Sequence, residues 1–432
     1  MKKIGLISLG CAKNLVDSEM ILAMFDKGKY QITDHPEEAD LIIVNTCGFI
    51  ASAKQESIET ILEMSQHKAK IAVVGCLAER YYDELKKSLP EADLICPIAN
   101  YGGLPKALSE LLDEDSSSIK ELDPLDRVLS TPSFSAYLRI SEGCDNFCSF
   151  CAIPFIRGRF KSRPYEEILK EAKALKEKGI KEISIVSQDT ASYGKEFPNR
   201  HPDIHDLLKE LDSMGFYSIR LLYLYPDELD ESFIDLVANS HSIKHYFDIP
   251  IQCASDHLLR RMNRHGSKKQ MEDLFSLIRE KCPDAILRTT LISGFPGENE
   301  EDQRETIEFL NKVRFDHLGV FAYSKEEGTA AARMKEQLPE EVKNARRDEL
   351  MSLQRKISYA NNKSHIGEVM EGLVIGREKE NEYLLRSSWN APDGIDGNIY
   401  FASTRELHNG DIVKVKITSA FVYDLRGVEE SQ

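Results

Sequence analysis

Three cysteines, Cys144, Cys148 and Cys151, fall within the stretch Ser141-Glu142-Gly143-Cys144-Asp145-Asn146-Phe147-Cys148-Ser149-Phe150-Cys151. No disulfide can join all three, so a short loop of this kind binds a metal ion or an iron–sulfur cluster. Zinc would ask for a fourth nitrogen or sulfur ligand, and no second Cys-x-x-Cys or His pair lies nearby. Three thiolates on a cuboidal four-iron cluster leave one iron without a protein ligand, open to a small molecule. The fold around this loop must therefore present it at an accessible edge. Buried structural thiols or a zinc site are the alternative.

Nine cysteines, an odd number, suit reduced thiols and clusters better than a disulfide framework. The chain has no run of 18 apolar residues, and Met1-Lys2-Lys3 leads directly into the strand-like Ile4-Gly5-Leu6-Ile7. A soluble, cytoplasmic protein without membrane contacts is expected. The formal net charge is −16, with no basic region. Phosphate neutralisation dominates nucleic-acid affinity, so this acidity fits a basic protein partner better than RNA. Plain solubility would explain it equally well.

Residues 1 to about 100 repeat a short apolar run, a turn and an amphipathic helix. The runs are Ile4–Leu9, Leu41–Val44, Ile71–Val74 and a weaker Leu94-Ile95, with helices expected over Asp17–Lys27 and Lys54–Met64. This is the pattern of a parallel α/β sheet. Cys11, Cys47 and Cys76 each stand just beyond the carboxyl end of a strand, where distant residues converge on one crevice. Three converging thiolates could hold a second cluster; small cysteines also end strands simply because they pack well. Cys96 also follows a strand-like run and reads as core, a free thiol or a fourth ligand. Asn14 and Asn45 flank the same crevice and could orient cluster sulfurs.

Acidic and serine-rich sequence, with Pro124 and Pro132 as breakers, marks a linker over residues 116–132 between a first domain, 1–115, and a second, 133–362. Tyr137–Ile140, Glu182–Val186, Ser218–Leu224, Tyr246–Ile251, Ile286–Ile292 and Leu318–Tyr323 read as strands separated by helices, a partial parallel (βα)6 barrel. Barrel chemistry sits at the carboxyl ends of the strands, and the cysteine loop follows the first one. The same rule selects Gln188, Gln252 and Gly294 as candidates for a nucleoside cofactor, with amides for its polar edges and glycine for close approach. Each could equally be an ordinary strand-end turn. Cys253 and Cys282 read as structural. The arginines Arg157, Arg159 and Arg163 could face an acidic substrate group or the protein's own carboxylates. A long helix from Glu340 to about Asn361 ends the barrel. Residues 363–432 then alternate as short strands, a small β-barrel of oligonucleotide-fold type. With 8 Lys and Arg against 12 Asp and Glu there, a positive groove is not evident, and Trp389, Tyr400 and Tyr423 read as core aromatics.

The Cys144/Cys148/Cys151 spacing, with Phe150 before the last cysteine, resembles the signature of the radical S-adenosylmethionine (SAM) enzymes. Gly10-Cys11-Ala12-Lys13-Asn14, Asn45-Thr46-Cys47-Gly48-Phe49-Ile50 and Gly75-Cys76 are similar to the amino-terminal domain of the methylthiotransferases within that superfamily. Ser187-Gln188-Asp189-Thr190 and Gly294-Phe295-Pro296-Gly297-Glu298 resemble further motifs of the family, and the last 70 residues resemble its TRAM domain. The resemblance covers essentially the whole chain and implies two four-iron four-sulfur clusters, one on Cys144, Cys148 and Cys151 and an auxiliary one on Cys11, Cys47 and Cys76. It also implies SAM as cofactor, with Phe150 near the adenine. Two groups share this architecture, one acting on an adenosine of transfer RNA and one on an aspartate of small-subunit ribosomal protein twelve. The motifs are closer to the ribosomal-protein group, since the tRNA group tends to carry Gln-Met-Asn after the first cysteine; the acidic charge agrees. The segment Arg386 to Gly397 resembles that group's Asp-Ala-Pro-Glu-x-Asp-Gly, with Asn390 in place of the first Asp. Cys253 stands where the family would show His. The activity that the resemblance implies is transfer of a methylthio group to the aspartate β-carbon. One SAM would methylate sulfur on the auxiliary cluster and a second would be cleaved to a 5′-deoxyadenosyl radical, with electrons from a donor such as flavodoxin or ferredoxin. A tRNA-modifying relative and a non-catalytic iron–sulfur carrier are the competing readings.

Overall fold

The computed structural model describes residues 1–115 and 117–430. Its first unit is a parallel sheet of β1 (Lys2–Ser8), β2 (Tyr30–Ile32), β3 (Leu41–Thr46), β4 (Lys70–Gly75) and β5 (Leu94–Cys96), in the order β2-β1-β3-β4-β5. β3 lies at its centre and every residue of it is buried, as expected of a strand covered on both faces by helices. The chain reverses direction across the sheet between β1 and β3, so Cys11 and Cys47 follow the two strands that border the switch point, where open parallel sheets form their crevice. The helix after β1 runs Ala12–Ala23, five residues earlier than its apolar spacing suggests. Its first turns are polar, yet Lys13, Asn14, Asp17 and Glu19 are buried against the second unit, and this interface polarity hides the helix start from a hydrophobic pattern. The short edge strand β2 carried no sequence signal of its own.

The segment expected as a linker is tied down. Ile119 packs into the first unit's core, and Lys120 donates its backbone N–H to Met24. Arg127 is buried between Glu19 and Glu171, at 2.5 Å from each, so it joins the first unit to the second. A Pro- and Ser-bearing composition signals irregular backbone, not freedom of movement.

The second unit is an open barrel of six parallel strands in sequential order, β6 (Ser135–Arg139), β9 (Glu182–Val186), β10 (Ser218–Leu221), β11 (Ile243–Asp248), β12 (Ile286–Ser293) and β13 (His317–Ala322). A small antiparallel ribbon, β7 (Ser141–Glu142) with β8 (Lys161–Ser162), flanks the cysteine loop. Leu138, Ile183, Ile185, Ile219 and Phe247 point outward into one apolar cluster with the helices. The alternate residues Tyr137, Val186, Leu222, Tyr246 and Ile286 share a different cluster with Val16 and Met20 at one end and Trp389 at the other. The helix Glu340–Ser364 packs along β13 and leads to the third unit.

That unit is a closed barrel of β14 (Val369–Lys379), β15 (Glu382–Arg386), β16 (Ile399–Ala402), β17 (Ile412–Ala420) and β18 (Leu425–Glu429), the last not anticipated from sequence. Its segment Arg386 to Asp396 plugs the end of the larger barrel where the strands begin. Trp389 is 1% exposed, and its carbonyl accepts from His317 Nε2 at 2.7 Å. Asp396 accepts from Tyr246 at 2.5 Å and pairs with Arg288 at 3.2 Å. Glu182 pairs with Arg220 at 3.1 Å and Arg386 at 3.2 Å, and Arg220 also donates to the Ser387 carbonyl. Trp389 is thus buried, as read from sequence, but between two units; Tyr423 is exposed instead of core. With one end plugged, chemistry is confined to the other.

Candidate active site

The loop after β6 is shaped by two left-handed residues, Gly143 at φ 72° and Phe147 at φ 46°. Any Cβ at Gly143 would collide with the Arg159 carbonyl, so this turn requires glycine. The curl turns three sulfurs toward donors. Asn146 Nδ2 lies 3.4 Å from Cys144 Sγ, the Ile153 N–H points at Cys151 Sγ at 3.4 Å, and the Tyr225 hydroxyl is 3.1 Å from Cys148 Sγ. Arg264 lies 3.8 Å from Cys148 Sγ and 4.2 Å from the centre of the Tyr225 ring. Donors gathered around sulfur favour its anionic form and tune a bound cluster. Burial alone works the other way, pushing Cys144 up to about 11 and Cys151 up to about 12. A bound cation reverses that balance and deprotonates a coordinating thiol.

Cys11, Cys47 and Cys76 come together as their strand positions predict. A Cβ on Gly10 would sit 2.8 Å from Cys47 Cβ and 3.0 Å from its sulfur, and one on Gly48 would meet the Leu77 N–H at 2.9 Å. Cys76 Sγ lies 3.5 Å from Asn14 Oδ1, and Asn45 Nδ2 donates to the Asn14 carbonyl and to Ser18 Oγ at 2.8 Å each, while Asn45 Oδ1 is buried without a partner. Burial raises Cys47 and pushes Cys76 up to about 11. In neither trio are all three sulfurs within 4.8 Å of one another. Cys96 is buried in the apolar core, its thiol toward the Pro97 and Asn100 carbonyls; Cys253 and Cys282 are buried in the barrel core.

The trio of Cys11, Cys47 and Cys76 meets the barrel beside the cysteine loop, at the interface of the first two units. Cys76 packs on Ala152 and Ile156, immediately after Cys151. Arg157 reaches back to Asn14 and pairs with Asp17 at 2.7 Å, and Arg139 holds the other Asp17 oxygen. Burial opposes the charge of Asp17, but the two guanidinium groups outweigh it and keep its carboxyl below the usual range. Arg159 pairs with Asp145 and Arg163 with Glu171, so these arginines serve the protein's own carboxylates. On the far side Glu326, following β13, accepts from the Ala51 N–H at 2.8 Å and pairs with Lys54 and Arg80 at 3.1 Å each. The chamber is thereby clasped on two sides.

The residues selected for a nucleoside stand on the cysteine loop or just beyond the carboxyl ends of β9, β11 and β12. Phe150 meets Phe295 edge to face at 6.5 Å. Gln188 has both amide atoms buried and unpartnered, a polar group with nothing of the protein to satisfy it. Gln252 sits at φ 69° and bridges to Leu291. Gly294 differs in its reason: the space its side chain would fill is taken by Lys343 of the long helix, so packing demands this glycine. Sequence reasoning did not single out Tyr225, Arg264 or Glu326. Tyr225 follows a strand end just as Gln188 does, and the same rule would have found it; Arg264 and Glu326 lie on segments with no periodic signal.

Three family models match: an uncharacterized protein family, UPF0004, over residues 3–97, the radical SAM superfamily over 138–310 and the TRAM domain over 366–428. Among solved structures, a radical S-adenosylmethionine methyltransferase, TsrM, from Kitasatospora setae, with cobalamin and a 4Fe-4S cluster bound, shares the fold at TM-score 0.54 and 14% identity, over 91% of this chain and 82% of that one. Curated relatives are far nearer in sequence. Ribosomal protein uS12 methylthiotransferase RimO of Aquifex aeolicus is 47% identical over 98% of this chain and 96% of its own length. The proteins of the same name from Acetivibrio thermocellus and Geobacter sulfurreducens are each 44% identical over 99% of this chain and 98% of theirs. Full-length identity at this level, together with the three matched domains, shows that the chain belongs to the family of ribosomal protein uS12 methylthiotransferases RimO, within the radical SAM superfamily.

Proposed function

We propose that this chain is a radical SAM enzyme that replaces a hydrogen on the β-carbon of an aspartate of ribosomal protein uS12 with a methylthio group. The observation that supports the reading is the packing of Cys76, from the trio at the switch point of the first sheet, on Ala152 and Ile156 just after the barrel trio, with Arg157 tying the two units together. Cys144, Cys148 and Cys151 would hold one four-iron four-sulfur cluster and Cys11, Cys47 and Cys76 the other, each with one iron left open. When bound, these clusters and SAM supply what side chains cannot, a radical able to take an unactivated hydrogen and a store of sulfur.

The protein's own residues arrange and shield that chemistry. Asn146, Tyr225 and Arg264 donate toward the first trio, and Asn14 and Arg157 brace the second. Phe150 would pack against the adenine, with Gln188 and Gln252 offering polar atoms to the nucleoside; Gly294 contributes through its place at the strand end. The helix Ala12–Ala23 packs Val16 and Met20 against the open barrel end. The division into 1–115, 116–132, 133–362 and 363–432 is our reading of the unit boundaries, supported by the matched ranges. A net charge of −16 favours a basic protein substrate and disfavours stable nucleic-acid binding. We place the enzyme in the cytoplasm, where thiols stay reduced and a flavodoxin or ferredoxin can deliver electrons; no helix among the described residues is long and apolar enough to cross a membrane.

The test is anaerobic incubation of cluster-loaded protein with SAM and a strong reductant, offering uS12 and unmodified tRNA separately. Mass spectrometry should show SCH3 in place of H on an aspartate of uS12, together with 5′-deoxyadenosine. Modification of tRNA alone would overturn the substrate assignment.

A further inference from the structure

Most cations around the chamber are already matched by the protein's carboxylates. Arg139 and Arg157 share Asp17 and Glu142, Lys54 and Arg80 share Glu326, and Arg127 and Arg163 share Glu171. Arg264 faces the Cys148 sulfur and the Tyr225 ring.

Lys13 is different. Its residue is 6% exposed, and its side chain crosses from the first unit into the barrel mouth. There Nζ donates to the Ser187 carbonyl at 3.0 Å and stands 4.2 Å from the centre of the Tyr223 ring. Among the described residues no carboxylate forms an ion pair with it. An ammonium has three donors, and one carbonyl with one ring face leaves the group under-satisfied. A buried cation without a counter-ion is unfavourable unless an anion arrives with the ligand. The residue after Ser187, Gln188, has both amide atoms buried and unpartnered. A positive group thus stands at a strand end beside Ser187, on a residue two along the chain from Cys11.

We propose that Lys13 binds the side-chain carboxylate of the substrate aspartate. The inference rests on the uS12 reading above and deepens it. An aspartate carboxylate is bonded directly to the β-methylene, so one ion pair fixes the carbon that reacts, and it does so at the barrel mouth beside the Ser187 carbonyl. The same contact selects a carboxylate over a neutral substrate of equal shape, because a neutral group would leave the buried lysine unpaired.

The test uses cluster-loaded full-length enzyme with two versions of uS12, one native and one with asparagine at the aspartate that mass spectrometry shows to be modified. Binding of each to wild-type enzyme is measured with turnover blocked by omitting reductant, and then turnover by wild type, Lys13→Met and Lys13→Arg. Wild type should prefer the aspartate form by about 100-fold or more. Lys13→Met should lose that preference and about 100-fold in kcat/KM, while retaining both cluster EPR signals and uS12-independent SAM cleavage. Lys13→Arg should keep most of the preference. Equal binding of the two forms by wild type overturns the proposal without any variant having to fold. Loss of uS12-independent SAM cleavage in Lys13→Met also overturns it, by making Lys13 a cofactor ligand; so does a Lys13→Met enzyme whose preference is intact. If wild type modifies no uS12 at all, the substrate reading falls, and this inference falls with it.

Discussion

At the scale of single residues, the site depends on a few backbone positions and on thiols whose protonation is set by burial. Gly143 is the sharpest case. Gly143→Ala must move the Arg159 carbonyl or open the loop, and we expect it to lose the Cys144/Cys148/Cys151 cluster while the auxiliary cluster persists, as read by iron content and EPR. The thiols make a pH prediction. Cys76 and Cys144 are pushed up to about 11 and Cys151 up to about 12, above the ordinary thiol value. The folded apo-protein then binds protons that the unfolded chain releases. This contribution is complete below the ordinary thiol pKa and disappears as pH rises through about 11 to 12. The melting temperature of apo-protein should therefore fall above the ordinary thiol value, and that of cluster-loaded protein should fall less, because its sulfurs are deprotonated already. Parallel melting curves for the two forms across this range would contradict the account.

At the scale of elements, legibility from sequence followed the kind of burial involved. Runs such as Leu41–Val44 and Ile71–Val74 are covered by apolar neighbours on both faces, and their strands were plain. The cysteines at their ends were legible for the same reason, because strand ends fix where the next residue lies. The first turns of the helix Ala12–Ala23 were not legible, since Lys13, Asn14, Asp17 and Glu19 are buried by partners from another unit and carry no hydrophobic period. The ties of the segment 116–132 were not legible for a related reason: the Arg127 bridge pairs residues more than 40 positions apart. Glu326 is such a long-range tie as well, 3% exposed at its side chain and paired with Lys54 and Arg80. Glu326→Ala strands two partly buried cations, and we expect a loss of about 3 kcal/mol, visible as a lower melting temperature and faster proteolysis between the first two units. Unchanged stability would show that the clasp is dispensable.

At the scale of the molecule, three units behave as one. The terminal barrel resembles an RNA-binding module in outline, yet its Arg386 to Asp396 segment is spent on closing the larger barrel, with Glu182, Arg220 and Arg288 finding their partners there. The sequence of that segment alone gave no hint of this, because a plug is defined by what it fills. Trp389→Ala should destabilise by about 3 to 5 kcal/mol, measured by chemical denaturation. Removal of residues 363–432 should leave an insoluble barrel, because Glu182 would lose Arg386, Arg288 would lose Asp396 and the barrel end covered by Trp389 would be exposed.

The central claim is that two cysteine trios hold two clusters around one chamber, and iron and sulfide counting with Mössbauer spectroscopy tests it most directly. Wild type should carry about eight iron atoms as two four-iron clusters, and triple alanine variants of either trio about four. The variant lacking Cys11, Cys47 and Cys76 should still form 5′-deoxyadenosine but transfer no sulfur, and the variant lacking Cys144, Cys148 and Cys151 should do neither. About four irons in wild type, or no loss of iron on removing Cys11, Cys47 and Cys76, would contradict the account.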